Sequence, residues 1–406
     1  NPGRRRFVWR VHGRAGYHSR ANALRMLGFL LRDAWLRLIL IVWVAVALFY
    51  AAPAGAIGAR AFFGDYLLSL TFLPFTMAAI FAGIDQLGSK AERRFWQAIG
   101  AAFAVWFAYA LVAFFVPDEQ WTLMWSVIGD CAFLGYYLLI VLGIELKPHL
   151  QAMNTVEGTQ RRLRTSALAL LLFGWLCYLV VIPAAVDQAS YQSELPSFLL
   201  YVSLDALIVL RLMMVRRESW SVRWATLYGL LALAMGWMLT ADLLETLWVA
   251  GVTAMASGSL LDLWWTVPFV LTAAAARARH RPFEAGQDVL NQDWAELPPA
   301  RIDQLLMAGA IGLAIMHHAL YAAGLLRAES QPYRQVLVEV MLIALGALAV
   351  LAFRLLDAER RRVEANEAGL RKELDQARRL DAVARVAGAV AHDFNNLLHV
   401  IRGRAE

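Results

Sequence analysis

Residues 336–362 read VLVEVMLIALGALAVLAFRLLDAERRR, and this stretch sets the architecture of the chain. Its first half is apolar apart from Glu339 and is long enough, with the residues before it, to cross about 30 Å of hydrocarbon as a helix. Its second half becomes charged from Arg354 onward and contains no proline, so the helix is expected to continue beyond the bilayer. We therefore predict a membrane-spanning helix joined directly to a long water-exposed one.

The composition of the whole chain agrees with this prediction. The 406 residues are 60% hydrophobic and 17% charged, and the mean hydropathy is +0.52. A soluble domain carries about 25% charged residues, so we predict an all-α membrane protein. Cys131 and Cys177 lie in apolar runs and provide neither a disulfide framework nor metal-ligand spacing. The chain begins at Asn1 and stops within a helical pattern, so we expect both ends to be clipped.

Apolar runs long enough to span a bilayer recur along the chain, roughly ten times. They lie near residues 38–52, 64–84, 97–116, 121–146, 166–186, 197–215, 224–243, 257–276, 305–326 and 335–354. Lysine and arginine concentrate in every second connection and are sparse in the others. The positive-inside rule places the basic connections in the cytoplasm. We predict a polytopic membrane domain at residues 38–354 with both termini cytoplasmic.

The N-terminal tail, residues 1–37, is rich in arginine. Within residues 16–36, leucines and Trp35 alternate with Arg20, Arg25 and Arg32, which suits a helix lying at the inner headgroup surface. A basic flank to the first span fits the same residues equally well. The sequence leaves both interpretations open.

The charged helix after the last span carries apolar residues at intervals of seven. The first row consists of Leu356, Val363, Leu370, Ala377 and Ala384; a second seam pairs Leu380, Ala387, Phe394 and Ile401 with Val383, Val390 and Leu397. Such repeats are typical of a coiled coil or helix bundle, and the change of row near 377–380 resembles a stutter. One helix cannot bury this stripe, so we predict a homodimer, with a signalling coiled coil at 355–379 and a bundle domain starting at 380–406.

The chemistry lies in the second seam, where residues 392–398 read HDFNNLL. His392 falls between two apolar seam positions, so its side chain is expected to face outward, with Asn396 one helical turn further on the same face. An imidazole held in this way can attack a phosphoryl group delivered by another domain. Asp393 can orient the ring by accepting a hydrogen bond from one of its nitrogens, and Asn396 can position a water for the reverse, hydrolytic step.

The stretch from Leu380 to Leu398, LDAVARVAGAVAHDFNNLL, resembles the phosphoacceptor segment of sensor histidine kinases, in the subgroup of nitrogen-regulation sensors and many hybrid kinases. An ordinary surface histidine is the alternative, and the residues around His392 argue against it. The resemblance implies that His392 is autophosphorylated, that Asp393 is its activating acid, and that Asn396 serves the phosphatase reaction. His399 and the Arg402-Gly403-Arg404 run depart from the family's pattern beyond these positions.

The same resemblance implies cofactors and partners. ATP and Mg²⁺ would be bound by a domain expected after residue 406, so this chain alone should be inactive as a histidine kinase. The partners would be a second copy, a response regulator or receiver domain, and membrane lipid, with no nucleic acid. The implied location is the bacterial inner membrane.

Ionisable residues within a bilayer are costly and are therefore candidates for function. Those found in the predicted spans are Asp130, Asp205, Arg211, Asp242, Glu245, Asp262, His317, His318 and Glu339. The candidate sensing residues are Asp205, Asp242, Glu245, Asp262, Trp264, Trp265, His317 and Glu339. They fit a cation or proton site, a polar small-molecule pocket or haem ligation by one histidine, and equally interhelical hydrogen bonds that hold the bundle together. Pro268, in mid-span beside the two tryptophans, is expected to kink its helix.

A second functional class is a transporter or channel-like membrane domain fused to a kinase. Against it, the sequence lacks a matched pair of short, Gly- or Pro-broken spans, which commonly mark a midplane substrate site. We therefore predict a membrane sensor, whose signal the sequence does not reveal.

Overall fold

The computed structural model describes residues 28, 32–51, 57–116, 122–149, 155–219, 221–254, 258–280, 302–322 and 326–405. Every regular element in these ranges is a helix, which confirms the all-α fold. The possible interfacial helix at residues 16–36 lies almost entirely outside the described residues. The helix that follows begins at Ala34. Its amino terminus is capped by Asp33, whose side chain accepts hydrogen bonds from the Trp35 and Leu36 amides.

The α-helices are numbered here in chain order. They are α1 (Ala34–Tyr50), α2 (Ile57–Phe62), α3 (Leu68–Phe81), α4 (Lys90–Phe115), α5 (Leu123–Glu145), α6 (Thr155–Leu176), α7 (Ile182–Val186), α8 (Gln188–Tyr191), α9 (Leu195–Glu218), α10 (Val222–Val249), α11 (Val267–Ala278), α12 (Ile302–Ala322) and α13 (Gln331–Ala405). Single π-helical turns join α2 to α3 and α6 to α7, and a 3₁₀ helix, Leu260–Thr266, leads into α11.

Seven helical segments are long and apolar enough to cross a membrane. They are Ile57–Gln86, Lys90–Phe115, Leu123–Glu145, Thr165–Val186, Leu195–Glu218, Val222–Val249 and Gln331–Leu355. The first and ninth predicted spans correspond to the shorter apolar helices Ala34–Tyr50 and Gly309–Ala322. The eighth is divided between the 3₁₀ helix and α11. The chain is thus a helical membrane protein, and the count of ten stays a prediction.

Pro268 begins a helix instead of kinking one. It occupies the first turn of α11, immediately after the 3₁₀ helix, where a backbone N–H has no intrahelical partner to lose. The expected mid-helix kink is therefore wrong. The local backbone change is the switch from 3₁₀ to α geometry, which the apolar pattern around residue 268 does not reveal.

The core of the bundle lies among α3, α4, α5, α9, α10 and α11. Large aromatic side chains fill it, and Phe95 makes edge-to-face contacts with Trp96 and Trp224 at centroid distances of 5.0 and 5.6 Å. Such pairs add about 0.5–1.5 kcal/mol each beyond simple burial. By contrast, α13 packs mainly against α6 and α12, and its apolar part is the least covered of the seven long segments.

The bundle has two distinguishable ends. The start of α13 lies beside the α8–α9 region, where Arg327 pairs with Asp187 at 3.3 Å. We call the end of the bundle from which α13 projects beyond Leu355 the tail side. The other end, where α13 begins, is called the opposite side. Ion pairs between different helices and connections occupy the tail side: Asp33–Arg277 at 2.9 Å, Glu92–Arg223 at 2.5 Å, Glu145–Arg211 at 2.5 Å and Glu218–Lys147 at 2.6 Å.

Candidate functional site

His392 and Asn396 are in contact on the surface of α13. The Nδ2 atom of Asn396 lies 3.1 Å from Nδ1 of His392, and both residues are exposed. A spacing of four residues returns to the same helix face after about one turn, which explains why imidazole and amide meet. The side chain of Asp393 lies outside the described residues, so its predicted hydrogen bond stays a prediction.

The contact with Asn396 distinguishes the two nitrogens of the His392 ring. The amide of Asn396 can donate to an unprotonated Nδ1 through its nitrogen, or accept from Nδ1–H through its oxygen. In both arrangements the amide is held at Nδ1, and Nε2 is the nitrogen directed away from it. Nε2 can act as the nucleophile only in the second arrangement, in which the ring proton is on Nδ1 and the amide oxygen accepts from it; in the first arrangement the neutral ring carries its proton on Nε2.

The apolar seam around His392 is exposed in the single chain. More than half of the side-chain surface is accessible at Leu380, Val383, Val390, Phe394 and Leu397. A contiguous exposed apolar stripe of this kind marks an interaction surface. It is the surface on which the sequence predicts a second copy.

Two of the candidate sensing residues meet in the middle of the bundle. Asp205 on α9 and Asp242 on α10 have their carboxyl groups in contact. Tyr137 of α5 donates to Asp242 Oδ2 at 3.4 Å. Asp205 is fully buried and lies against Asp242 and Tyr137, but neither of its oxygens makes a hydrogen bond of regular geometry with a described residue. Buried polar groups normally have partners, so this pair is the unusual feature of the membrane domain.

The other candidates near this pair have partners in different directions. Glu245, one turn after Asp242, is hydrogen-bonded to Trp265. Trp264 donates from Nε1 to the Thr240 hydroxyl at 3.1 Å. Asp262 accepts from the Gly258 amide at 2.9 Å and interacts with Tyr50. Asp262, Trp264 and Trp265 therefore do not form one pocket.

A buried carboxylate on the opposite side has a complete set of donors. Asp130 of α5 accepts hydrogen bonds from Tyr191 Oη at 2.5 Å, from Ser197 Oγ at 2.9 Å and from the hydroxyl of Tyr201. The sequence did not identify these tyrosines. A usable signal was the spacing of Ser197, Tyr201 and Asp205, which recur every four residues and so share one face of α9.

Arg211 forms its ion pair with Glu145, which is not one of the candidate residues identified from the sequence. Its guanidinium forms two hydrogen bonds to Glu145, Nε to Oε1 at 2.5 Å and Nη2 to Oε2 at 3.1 Å. It also lies 3.7 Å from Glu218. Glu145 was missed because it stands at the end of its apolar run, although it is buried on the tail side.

The two histidines of α12 have different environments. His317 is buried, with Nδ1 3.1 Å from the hydroxyl of Tyr178, and Arg334 lies over the ring of Tyr178. His318 is exposed. Glu339 is exposed on α13, where it accepts from Gln335 Nε2 at 3.1 Å, so the structure does not bring it together with His317.

His149 supplies a pH-dependent contribution to stability on the tail side. Its Nδ1 lies 3.0 Å from the hydroxyl of Tyr228, and burial, followed by the charges of Lys147 and Arg211, lowers the pKa of His149 to about 4. Between pH 6.5 and 4 the unfolded chain therefore binds a proton at this residue that the folded chain does not, and stability falls as the pH falls.

We expect the melting temperature in detergent, followed by tryptophan fluorescence, to drop more between pH 7 and pH 5 in the wild type than in His149→Asn. The difference corresponds to about 2 kcal/mol. Equal pH dependence in the two proteins would contradict a neutral, half-buried His149.

Within the described residues, no three histidine, cysteine, aspartate or glutamate side chains converge as a metal site. The candidate functional features are thus the His392–Asn396 pair on α13 and the Asp205–Asp242 pair in the bundle. In the comparisons with known proteins, no protein-family model, curated protein or solved structure matches the chain.

Proposed function

We propose that the chain is the membrane-bound sensory and phosphoacceptor part of a sensor histidine kinase. The observation that carries the proposal is the Asn396 amide held against Nδ1 of His392, on an exposed helix continuous with a membrane segment. The phosphoacceptor-like sequence from Leu380 to Leu398 supports the same function. The homodimer would receive a signal through the bundle and pass a phosphoryl group to a response regulator.

The proposed chemistry follows from the two ring nitrogens. Nε2 of His392 attacks the γ-phosphorus of ATP; the N–P bond forms while the bond to the β,γ-bridging oxygen breaks, and ADP leaves with that electron pair. Attack by Nε2 requires the ring proton on Nδ1, where the amide oxygen of Asn396 or the carboxylate of Asp393 would accept a hydrogen bond from it; the carboxylate can take up that proton as the ring becomes positive. ATP and Mg²⁺ would be supplied by the kinase's nucleotide-binding domain.

The proposed topology places the tail side in the cytoplasm. Lys147, Arg211, Arg223 and Arg277 all take part in ion pairs on that side, as the positive-inside rule requires of a cytoplasmic face. The phosphoacceptor helix leaves the bundle on the same side, where ATP is available.

The proposed dimer extends the predicted coiled coil back into the membrane. Continuing the Leu356 row upward in steps of seven gives Ala349, Leu342 and Gln335, so one seam runs along α13 from its first turn. This part of α13 is the least covered of the long segments. A second copy placed there would shield the Gln335–Glu339 pair from lipid, where polar side chains are costly.

A phosphorylation assay tests the function directly. The chain in vesicles is incubated with radiolabelled ATP and the catalytic domain of a nitrogen-regulation-type sensor kinase supplied separately. We expect an acid-labile, alkali-stable label on the wild type, as for the N–P bond of phosphohistidine and unlike the O–P bonds of phosphoserine and phosphothreonine, and none on His392→Gln. His399→Gln, seven residues further on the same helix, should be labelled normally; label retained by His392→Gln, or absent from the wild type, would refute the proposal.

A second candidate function is a transporter or channel-like domain fused to the kinase. The observation that favours it is the set of acidic groups within the bundle, buried at Asp130, Asp205 and Asp242 and half-buried at Glu245, since intramembrane acids also mark ion pathways. Uptake of candidate solutes or cations into vesicles containing the chain, compared with empty vesicles, separates the two functions. A sensor alone gives no uptake above that background.

A further inference from the structure

The contact between Asp205 and Asp242 raises a problem of charge in the interior of the bundle. Asp205 is fully buried and Asp242 is 9% exposed, and their carboxyl groups touch. Two carboxyl groups can form a hydrogen bond with each other only if one of them carries a proton, since ionised carboxylates are acceptors only. Like charges at this separation in an apolar interior strongly disfavour double ionisation.

The surrounding side chains do not solve this problem. The groups that face the pair are Tyr136 and Tyr137 from α5 and Glu245 from α10, all neutral or acidic. In the described part of the bundle, no lysine or arginine is hydrogen-bonded to either aspartate. The buried guanidinium of α9, Arg211, is occupied by Glu145.

We propose that Asp205 and Asp242 form a proton-binding site in which the two carboxyl groups share an exchangeable proton. The hydroxyl of Tyr137 stabilises the ionised partner by donating to Asp242 Oδ2 at 3.4 Å. Direct carboxyl contact favours a proton over a metal cation, which would stand between the oxygens as a ligand. This inference rests on the membrane domain alone and is independent of the kinase proposal.

Packed tyrosine rings connect this site with the buried carboxyl group of Asp130. Tyr191 and Tyr201 both donate to Asp130, and the ring of Tyr201 stacks on that of Tyr137 with centroids 6.3 Å apart. Tyr137 in turn reaches the carboxyl pair. Loss of the shared proton would place two repelling charges between α9 and α10.

Dicyclohexylcarbodiimide provides the test, because it adds to protonated carboxyl groups in apolar surroundings and leaves a stable N-acylurea. The chain in vesicles is treated between pH 5 and pH 9, and the modified peptides are identified by mass spectrometry. We expect modification of Asp205 or Asp242 that decreases as the pH rises and does not change when NaCl replaces choline chloride. Glu373, a solvent-exposed carboxyl group on α13, is the internal control and should stay unmodified.

Two variants complete the test. In Asp205→Asn the new amide can donate to Asp242, which then has no need of a proton, so modification of Asp242 should fall about tenfold at a given pH. Asp242→Asn should have the reciprocal effect on Asp205. The proposal is overturned if sodium protects the pair at constant pH, if neither aspartate reacts at any pH, or if modification of the remaining aspartate is unchanged in both variants.

Discussion

Replacing Arg211 with methionine is expected to lower the free energy of unfolding of the bundle by about 3–5 kcal/mol. Arg211 and Glu145 are 2% and 4% exposed and are joined by two hydrogen bonds. Removing the guanidinium leaves the Glu145 carboxylate buried without its cation, which costs far more than the net value of the pair. The measurement is denaturant unfolding in mixed micelles, followed by tryptophan fluorescence.

Two variants separate loss of the ion pair from loss of arginine in general. Arg217→Met removes an exposed arginine from the end of the same helix and should change the stability by less than about 0.5 kcal/mol. The double variant Arg211→Met with Glu145→Met removes both charges and should recover most of the loss. A single Arg211→Met that costs no more than Arg217→Met would show that the pair is solvated.

Cysteine cross-linking on α13 is expected to give a nearly complete covalent dimer from one helix face and almost none from another. Leu370 belongs to the predicted seam and is 65% exposed in the single chain. In a background with Cys131 and Cys177 replaced by serine, Leu370→Cys should form a disulfide between two copies under mild oxidation. Seam positions approach each other across a parallel coiled coil, close enough for a disulfide.

Lys372→Cys is the matched control for this experiment. It lies two residues away, rotated by about 200° on the same helix, and is also exposed. The two introduced cysteines are therefore similarly accessible to the oxidant, and the main difference between them is the direction in which the side chain points from the helix. Comparable cross-linking at both positions would contradict a specific parallel seam.

The sequence was informative wherever the interaction is local. The helical fold follows from long apolar runs, and the contact between His392 and Asn396 follows from a spacing of four residues. Each of these features depends on residues within about one turn, or on composition averaged over a whole span.

The features that the sequence did not reveal depend on packing between distant helices. Asp205 and Asp242 were both suspected, but nothing in their spacing showed that α9 and α10 bring their carboxyl groups together. The role of Tyr137 could not be predicted from the sequence, because a tyrosine in an apolar run is usually explained by core packing. The 3₁₀ helix before Pro268 was missed because apolar periodicity over seven residues does not separate 3₁₀ from α geometry.

The unbroken course of α13 has a consequence for building chimeras. Gln331–Ala405 is a single helix of 75 residues, so each inserted residue turns everything after it by about 100° and shifts it by about 1.5 Å. A foreign input domain joined to this helix must therefore be connected with the same helical phase as the native membrane segment. Junctions that differ by whole heptads should preserve the face on which His392 stands, whereas a junction shifted by two residues should present the opposite face.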